Sequence, residues 1–186
     1  DDGYRDNLEH AWPIFKKHGV PAALFIATSF PDRLGLLWWV SLERAIAATD
    51  RLAIEMNGNS RFFDCASAGA KQHTYDQIYW GLRGLADERD LRRIVTDLCT
   101  RYGVDPLAPC KELCMDWNEI GHLAADPLIT IGAHSVNHYM LRKWDAETVT
   151  QEMIQSADVI EKALGKKPVD FAFPVGDRTS AAARDF

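Results

Sequence analysis

The chain has 186 residues, of which 47% are hydrophobic and 26% charged, enough to bury one substantial core. Its 27 acidic residues outnumber its 21 basic ones, and the basic side chains are scattered, so no continuous positive surface is expected and nucleic acid is not an expected partner. The longest apolar runs, 34–40 and 128–133, fall far short of the roughly 20 residues that cross a bilayer, so no membrane span is expected.

In chain order, residues 1–4 read as a turn. Leu8, Ala11, Trp12 and Phe15 then recur at helical spacing over 7–17, and His18-Gly19-Val20-Pro21 stops that helix. Residues 22–27 follow as a short apolar strand. The segment 31–114 departs from this rhythm and is expected to be a mainly helical inserted subdomain. It carries a Trp38-Trp39 pair, a helix over 41–48, a hairpin around Asn57-Gly58-Asn59, and helices over 75–85 and 88–102. Strand–helix alternation then returns: a helix over 118–125 that Asp116 is placed to cap, a strand over 128–132, an amphipathic helix over 146–164 and a strand over 171–173. Such alternation predicts an α/β fold of parallel units. With no strand ahead of Asp1, the chain reads as a fragment, and any targeting signal is expected to precede it. Cys65, Cys99, Cys110 and Cys114 lack CxxC spacing and are expected to be buried free thiols, since a Cys110–Cys114 disulfide would need a non-helical segment and an oxidising compartment.

Three short segments at expected strand ends carry chemistry. Asp1-Asp2-Gly3-Tyr4 sets two adjacent carboxylates beside a glycine that permits a tight turn; a plain solvated turn is the other reading. Gly132-Ala133-His134-Ser135-Val136-Asn137-His138 places two imidazoles four residues apart, a spacing that on a helical turn or a wide loop lets both face one ion. Phe171-Ala172-Phe173-Pro174-Val175-Gly176 ends a strand in a proline and a glycine, which either turns the chain or points backbone N–H groups into a cleft. A β/α barrel gathers such strand ends on one face.

In these motifs the chain resembles the polysaccharide deacetylases of the nodulation-protein-B type, carbohydrate esterase family 4, over residues 1–30 and 115–178. Asp1-Asp2-Gly3 is similar to the end of the family's Thr-Phe-Asp-Asp-Gly motif. His134 to His138 fits its His-Ser/Thr-x-x-His motif, and Phe171 to Gly176 its Phe-x-Tyr-Pro-x-Gly motif. The resemblance implies a distorted (β/α) barrel, here incomplete at both ends. It also implies a divalent metal, Zn²⁺ first with Co²⁺ or Ni²⁺ as alternatives, on Asp2, His134 and His138, with Asp1 as general base and the Val175 N–H as oxyanion donor. The implied reaction removes N-acetyl groups from N-acetylglucosamine-containing oligo- or polysaccharide, in a bacterial cytoplasm or cell envelope. Two departures bear on it. Ala172 stands where the common third motif has an arginine that orients the catalytic aspartate, with Arg178 as the substitute, and the histidine acting as general acid is expected after residue 186. A metal-independent cyclic amide hydrolase and a catalytically silent carbohydrate-binding module are the alternatives. Trp38, Trp39, Trp80 and Trp117 read as core aromatics, sugar stacking being the other use of the first three.

Overall fold

The structure, a computed structural model, describes residues 1–56 and 58–181, which divide into two compact units: Asp1–Gly35 with the chain from Cys110 onward, and Leu36–Pro109.

The first unit begins with a turn at Gly3, and the helix expected over 7–17 is two structures rather than one. Asn7–Ala11 is a π-helix and Trp12–His18 an α-helix, α1. Pro13 is the cause. Lacking an N–H, it cannot donate to Glu9 inside a longer α-helix but is tolerated in the first turn of α1, and the Trp12 N–H reaches back five residues to the Asn7 carbonyl. Gly19, at φ 64, ends α1 in the left-handed conformation that glycine adopts without a Cβ clash. Strand β1, Ala22–Ile26, follows.

The second unit opens with helix α2, Trp38–Ala47, which buries Trp38, Leu42, Ala45 and Ile46. Strands β2, Arg51–Met56, and β3, Asn59–Asp64, pair antiparallel from Arg51↔Asp64 to Met56↔Asn59, with Gly58 at φ 74 in the turn; Asn57 lies outside the described residues. Helix α3, Ala68–Arg83, starts earlier than its apolar spacing suggested because the Ser67 side chain accepts from the Ala70 N–H. Asp87 caps α4, Glu88–Arg101, in the same way through the Arg89 N–H. Trp38, 3% exposed, is core and stacks on the half-buried Tyr79 at 5.1 Å, which stacks in turn on the half-buried Tyr75 at 5.6 Å, whereas Trp80 is 64% exposed.

The first unit resumes with α5, Ala108–Leu113, a helix too short to show a periodicity in sequence, and α6, Trp117–Ala124. Asp116 and Glu119 form a reciprocal capping box on α6, each side chain accepting the other's backbone N–H. Strand β4, Ile129–Ala133, a 3₁₀ turn at Leu141–Lys143 and α7, Ala146–Leu164, complete it; Asp145 caps α7 and Gly165, at φ 75, stops it. β1 and β4 pair in parallel from Ala22↔Ile129 to Ile26↔Ala133. Single parallel bridges extend the arc on both sides, Asp2↔Ile26 beyond β1 and Ala133↔Phe171 beyond β4. The strand expected over 171–173 thus reduces to one bridge. Pro174, with no N–H, cannot prolong the ladder. Closure into a barrel is not seen among the described residues. Leu24, Ile26, Met115, Ile120, Leu123, Ile129 and Ile160 form the core beneath the arc, with Trp12, Trp117 and Phe171 packed against it. All four cysteines are buried free thiols. Among the described residues no helix is long and apolar enough to cross a membrane.

Candidate metal centre

The parallel arc brings the C-terminal ends of its members side by side, and the motif residues sit there. Asp2, at φ 70, leaves the arc in a turn closed by the Gly3 N–H on the Asp1 carbonyl (2.9 Å). That turn is tied to the end of α5 by the Met115 N–H on Gly3 O (2.9 Å), by a Tyr4↔Cys114 bridge, and by Arg5, whose guanidinium donates to Cys114 O (2.7 Å) and Glu119 (2.9 Å). On the neighbouring strand β4 runs directly into His134, 2% exposed, whose N–H bonds to Ile26 O (3.0 Å).

The stretch from His134 to His138 is a loop, not a helical turn. Ser135 and His138 both take left-handed backbone, φ 63 and 55, and the Ser135 hydroxyl accepts the His138 N–H (3.0 Å). His138 is 6% exposed, and its ring stacks on the fully buried Phe30 at 6.0 Å. The His134 Nδ1–H donates to the Ala172 carbonyl (2.9 Å). Because a carbonyl can only accept, this bond keeps a proton on Nδ1 and turns Nε2 inward.

Both Nε2 atoms lie 3.1 Å from one oxygen, Asp2 Oδ1, whose side chain is 18% exposed. Burial by itself would push the Asp2 carboxyl up. The bonded imidazoles of His134 and His138 outweigh it and hold the carboxyl well below the usual carboxylate range. Asp2, His134 and His138 are the group of the described residues able to hold an ion, with ligand atoms within 4.8 Å of one another. Ligands about 2.0–2.1 Å from a tetrahedral zinc stand roughly 3.3 Å apart, so one carboxylate and two imidazoles at this spacing fit such an ion, and three protein ligands leave a position open.

The other motif residues are less enclosed. Asp1 is exposed and outside this cluster. Val175, 43% exposed, is the centre of a γ-turn closed by the Gly176 N–H on Pro174 O (2.7 Å), at φ 65, a conformation rarely taken by a β-branched residue. Arg178 is exposed and forms no ion pair with Asp1 among the described residues. Ala172 acts here through its carbonyl.

Sequence reasoning passed over Glu152. It lies on α7 and is 6% exposed; its carboxylate accepts the N–H groups of Val136 (2.9 Å) and Asn137 (2.8 Å) and the Asn137 side-chain amide (2.6 Å). The signal was legible: Glu152 interrupts the buried stripe of Val149, Ser156 and Ile160, where a charged residue needs a partner.

No curated protein and no solved structure matches the chain significantly. The family model described as polysaccharide deacetylase matches residues 1–185, spanning the Asp2, His134 and His138 cluster, and the chain therefore belongs to the polysaccharide deacetylase family.

Proposed function

We propose that this domain is a metal-dependent carbohydrate N-deacetylase that hydrolyses N-acetyl groups of an N-acetylglucosamine-containing oligo- or polysaccharide to acetate and a free amine. Family membership supports the deacetylation of acetylated carbohydrates. The observation that carries the metal is the convergence of two buried imidazole Nε2 atoms on Asp2 Oδ1, at 3.1 Å each. With a proton of His134 held on Nδ1 by the Ala172 carbonyl, Nε2 is the ring nitrogen that could take an ion beside the Asp2 carboxylate. We read the parallel arc as part of a distorted (β/α) barrel.

Asp2, His134 and His138 would hold the ion, Zn²⁺ by preference. The chemistry such an ion supplies is Lewis acidity, which lowers the pKa of water towards about 7 and polarises an acetamide carbonyl. The remaining work falls to the chain. Asp1, exposed beside Asp2, takes the proton of the attacking water, and the Val175 N–H donates to the oxyanion that develops on the acetyl carbonyl.

Elemental analysis of the purified protein, with acetate release from chitooligosaccharides after zinc addition, tests the proposal. One equivalent of bound ion with acetate release that Asp2→Asn abolishes is the expected result. Bound ion without acetate leaves a silent module; neither ion nor acetate overturns the reading.

A further inference from the structure

We propose that Glu152 is a positioning residue for the metal centre, its carboxylate filling a nest of backbone amides that holds His138 in register with His134. The inference rests on the metal reading above. Between the two histidines the carbonyls of Ser135 and Val136 accept the N–H groups of Thr28 (3.1 Å) and Ser29 (2.9 Å), which leaves the loop's own N–H groups to be satisfied from the other side. The N–H groups of Val136 and Asn137 converge on Glu152 Oε2 at 2.9 and 2.8 Å, and that of His138 goes to the Ser135 hydroxyl at 3.0 Å. Consecutive amides turned towards one anion make a nest, and here the anion is built in, delivered from α7. The other oxygen, Oε1, accepts the Asn137 side-chain amide at 2.6 Å, so both oxygens of a buried carboxylate bind this one loop. The loop needs such a clamp. Ser135 and His138 flank the nest in left-handed backbone, φ 63 and 55, which side chains other than glycine adopt reluctantly. Without Glu152 the Ser135 and Val136 carbonyls stay tied to Thr28 and Ser29, but the Val136 and Asn137 N–H groups lose their acceptor, and the left-handed His138 end of the loop relaxes and carries its ring away from Asp2.

The test measures zinc affinity by chelator competition, exchange protection of the Val136 and Asn137 amides, and the metal-free melting temperature. Glu152→Asp keeps the charge but withdraws the oxygens by one methylene; Glu152→Gln keeps the length and one acceptor. Loss of a group bonded directly to a metal ligand costs about 10–100-fold in affinity; Glu152 acts through the intervening loop, so Glu152→Ala and Glu152→Asp are expected at the lower end, about ten-fold, with amide protection lost. Glu152→Gln, which keeps an acceptor for the two backbone amides but sets an NH2 against the Asn137 side-chain amide, is expected to retain amide protection and to weaken zinc binding less than Glu152→Asp. Val149→Ala, on the same buried face of α7, is expected to lower the melting temperature and leave zinc affinity unchanged. Glu152→Asp binding zinc as tightly as the parent, or Val149→Ala weakening it as much, overturns the proposal alone. A parent that takes up no zinc overturns the metal reading and this one with it.

Discussion

Gly35 is where packing and the candidate site meet most directly. A Cβ built on it overlaps the Phe30 ring and stands 3.1 Å from Ser29 Oγ. The serine hydroxyl can rotate; the ring cannot escape, because Phe30 is fully buried and its face is stacked on His138 at 6.0 Å. Overpacking a filled core costs about 1–3 kcal/mol, against about 0.4–1 kcal/mol gained by restricting the unfolded glycine. Gly35→Ala is therefore expected to lose roughly 1–2 kcal/mol, a melting-temperature drop of roughly 2–8 °C for a domain of this size. Gly69 is the internal control: a Cβ there meets nothing within 4 Å, and it lies in the first turn of α3. Gly69→Ala is expected to gain about 0.5 kcal/mol from helix propensity. Thermal and urea unfolding followed by circular dichroism reads both signs. Gly35→Ala melting with the parent, or Gly69→Ala falling alongside it, would refute the packing argument.

Asp116→Ala removes the capping box of α6 and is expected to cost about 1 kcal/mol in urea unfolding; no change would mean the two bonds contribute nothing. The Asp2 carboxyl is depressed by His134 and His138, so its contribution to folding is present above the unfolded carboxylate pKa and is lost as pH falls through the folded value. The metal-free protein should lose stability below about pH 4, and Asp2→Asn should show a flatter acid limb there; parallel curves would count against the ion contacts. Val175→Gly relieves about 1–2 kcal/mol of left-handed strain but adds about 0.4–1 kcal/mol of unfolded-chain entropy, so it is expected to gain about 1 kcal/mol while slowing acetate release, through looser placement of the amide. Zinc at about a hundred times its dissociation constant should add roughly 2.7 kcal/mol to unfolding, read as a rise in melting temperature; a flat titration would contradict the metal assignment.

Legibility in the sequence followed where local chemistry speaks at both ends of an element. The helix read over 146–164 is Ala146–Leu164, because Asp145 starts it and Gly165 stops it. The 7–17 segment misled because its apolar spacing describes a face, whereas Pro13 decides which backbone bonds exist. At the site, spacing paired His134 with His138 and the family resemblance added Asp2, but their approach depends on parallel register between β1 and β4, a long-range property that no local pattern carries. Glu152 shows the same division. Its place on a buried stripe announces that a partner exists, and only the fold names the partner as the 136–137 amides.

Backbone conformation was the least legible feature, and it concentrates at this centre. Among the described residues the non-glycine positions with left-handed φ are Asp2, Arg33, Ser135, His138 and Val175. Four of these belong to the three motifs; the fifth, Arg33, donates its guanidinium to Cys114 O (2.6 Å), at the end of the helix that ties down the Asp2 turn. Each costs about 1–2 kcal/mol relative to ordinary backbone, in a domain whose whole stability is typically about 5–15 kcal/mol. Such conformations persist only where surroundings over-determine them. Here each has a visible restraint: the Ile26 bridge at Asp2, the Ser135 hydroxyl and Glu152 at the histidine loop, and the Pro174 carbonyl at the Val175 turn. Two of the three proposed ion ligands, Asp2 and His138, are thus held by backbone the sequence would not choose locally. Glycine at Asp2 or His138 would relieve the strain and delete the metal-binding side chain with it.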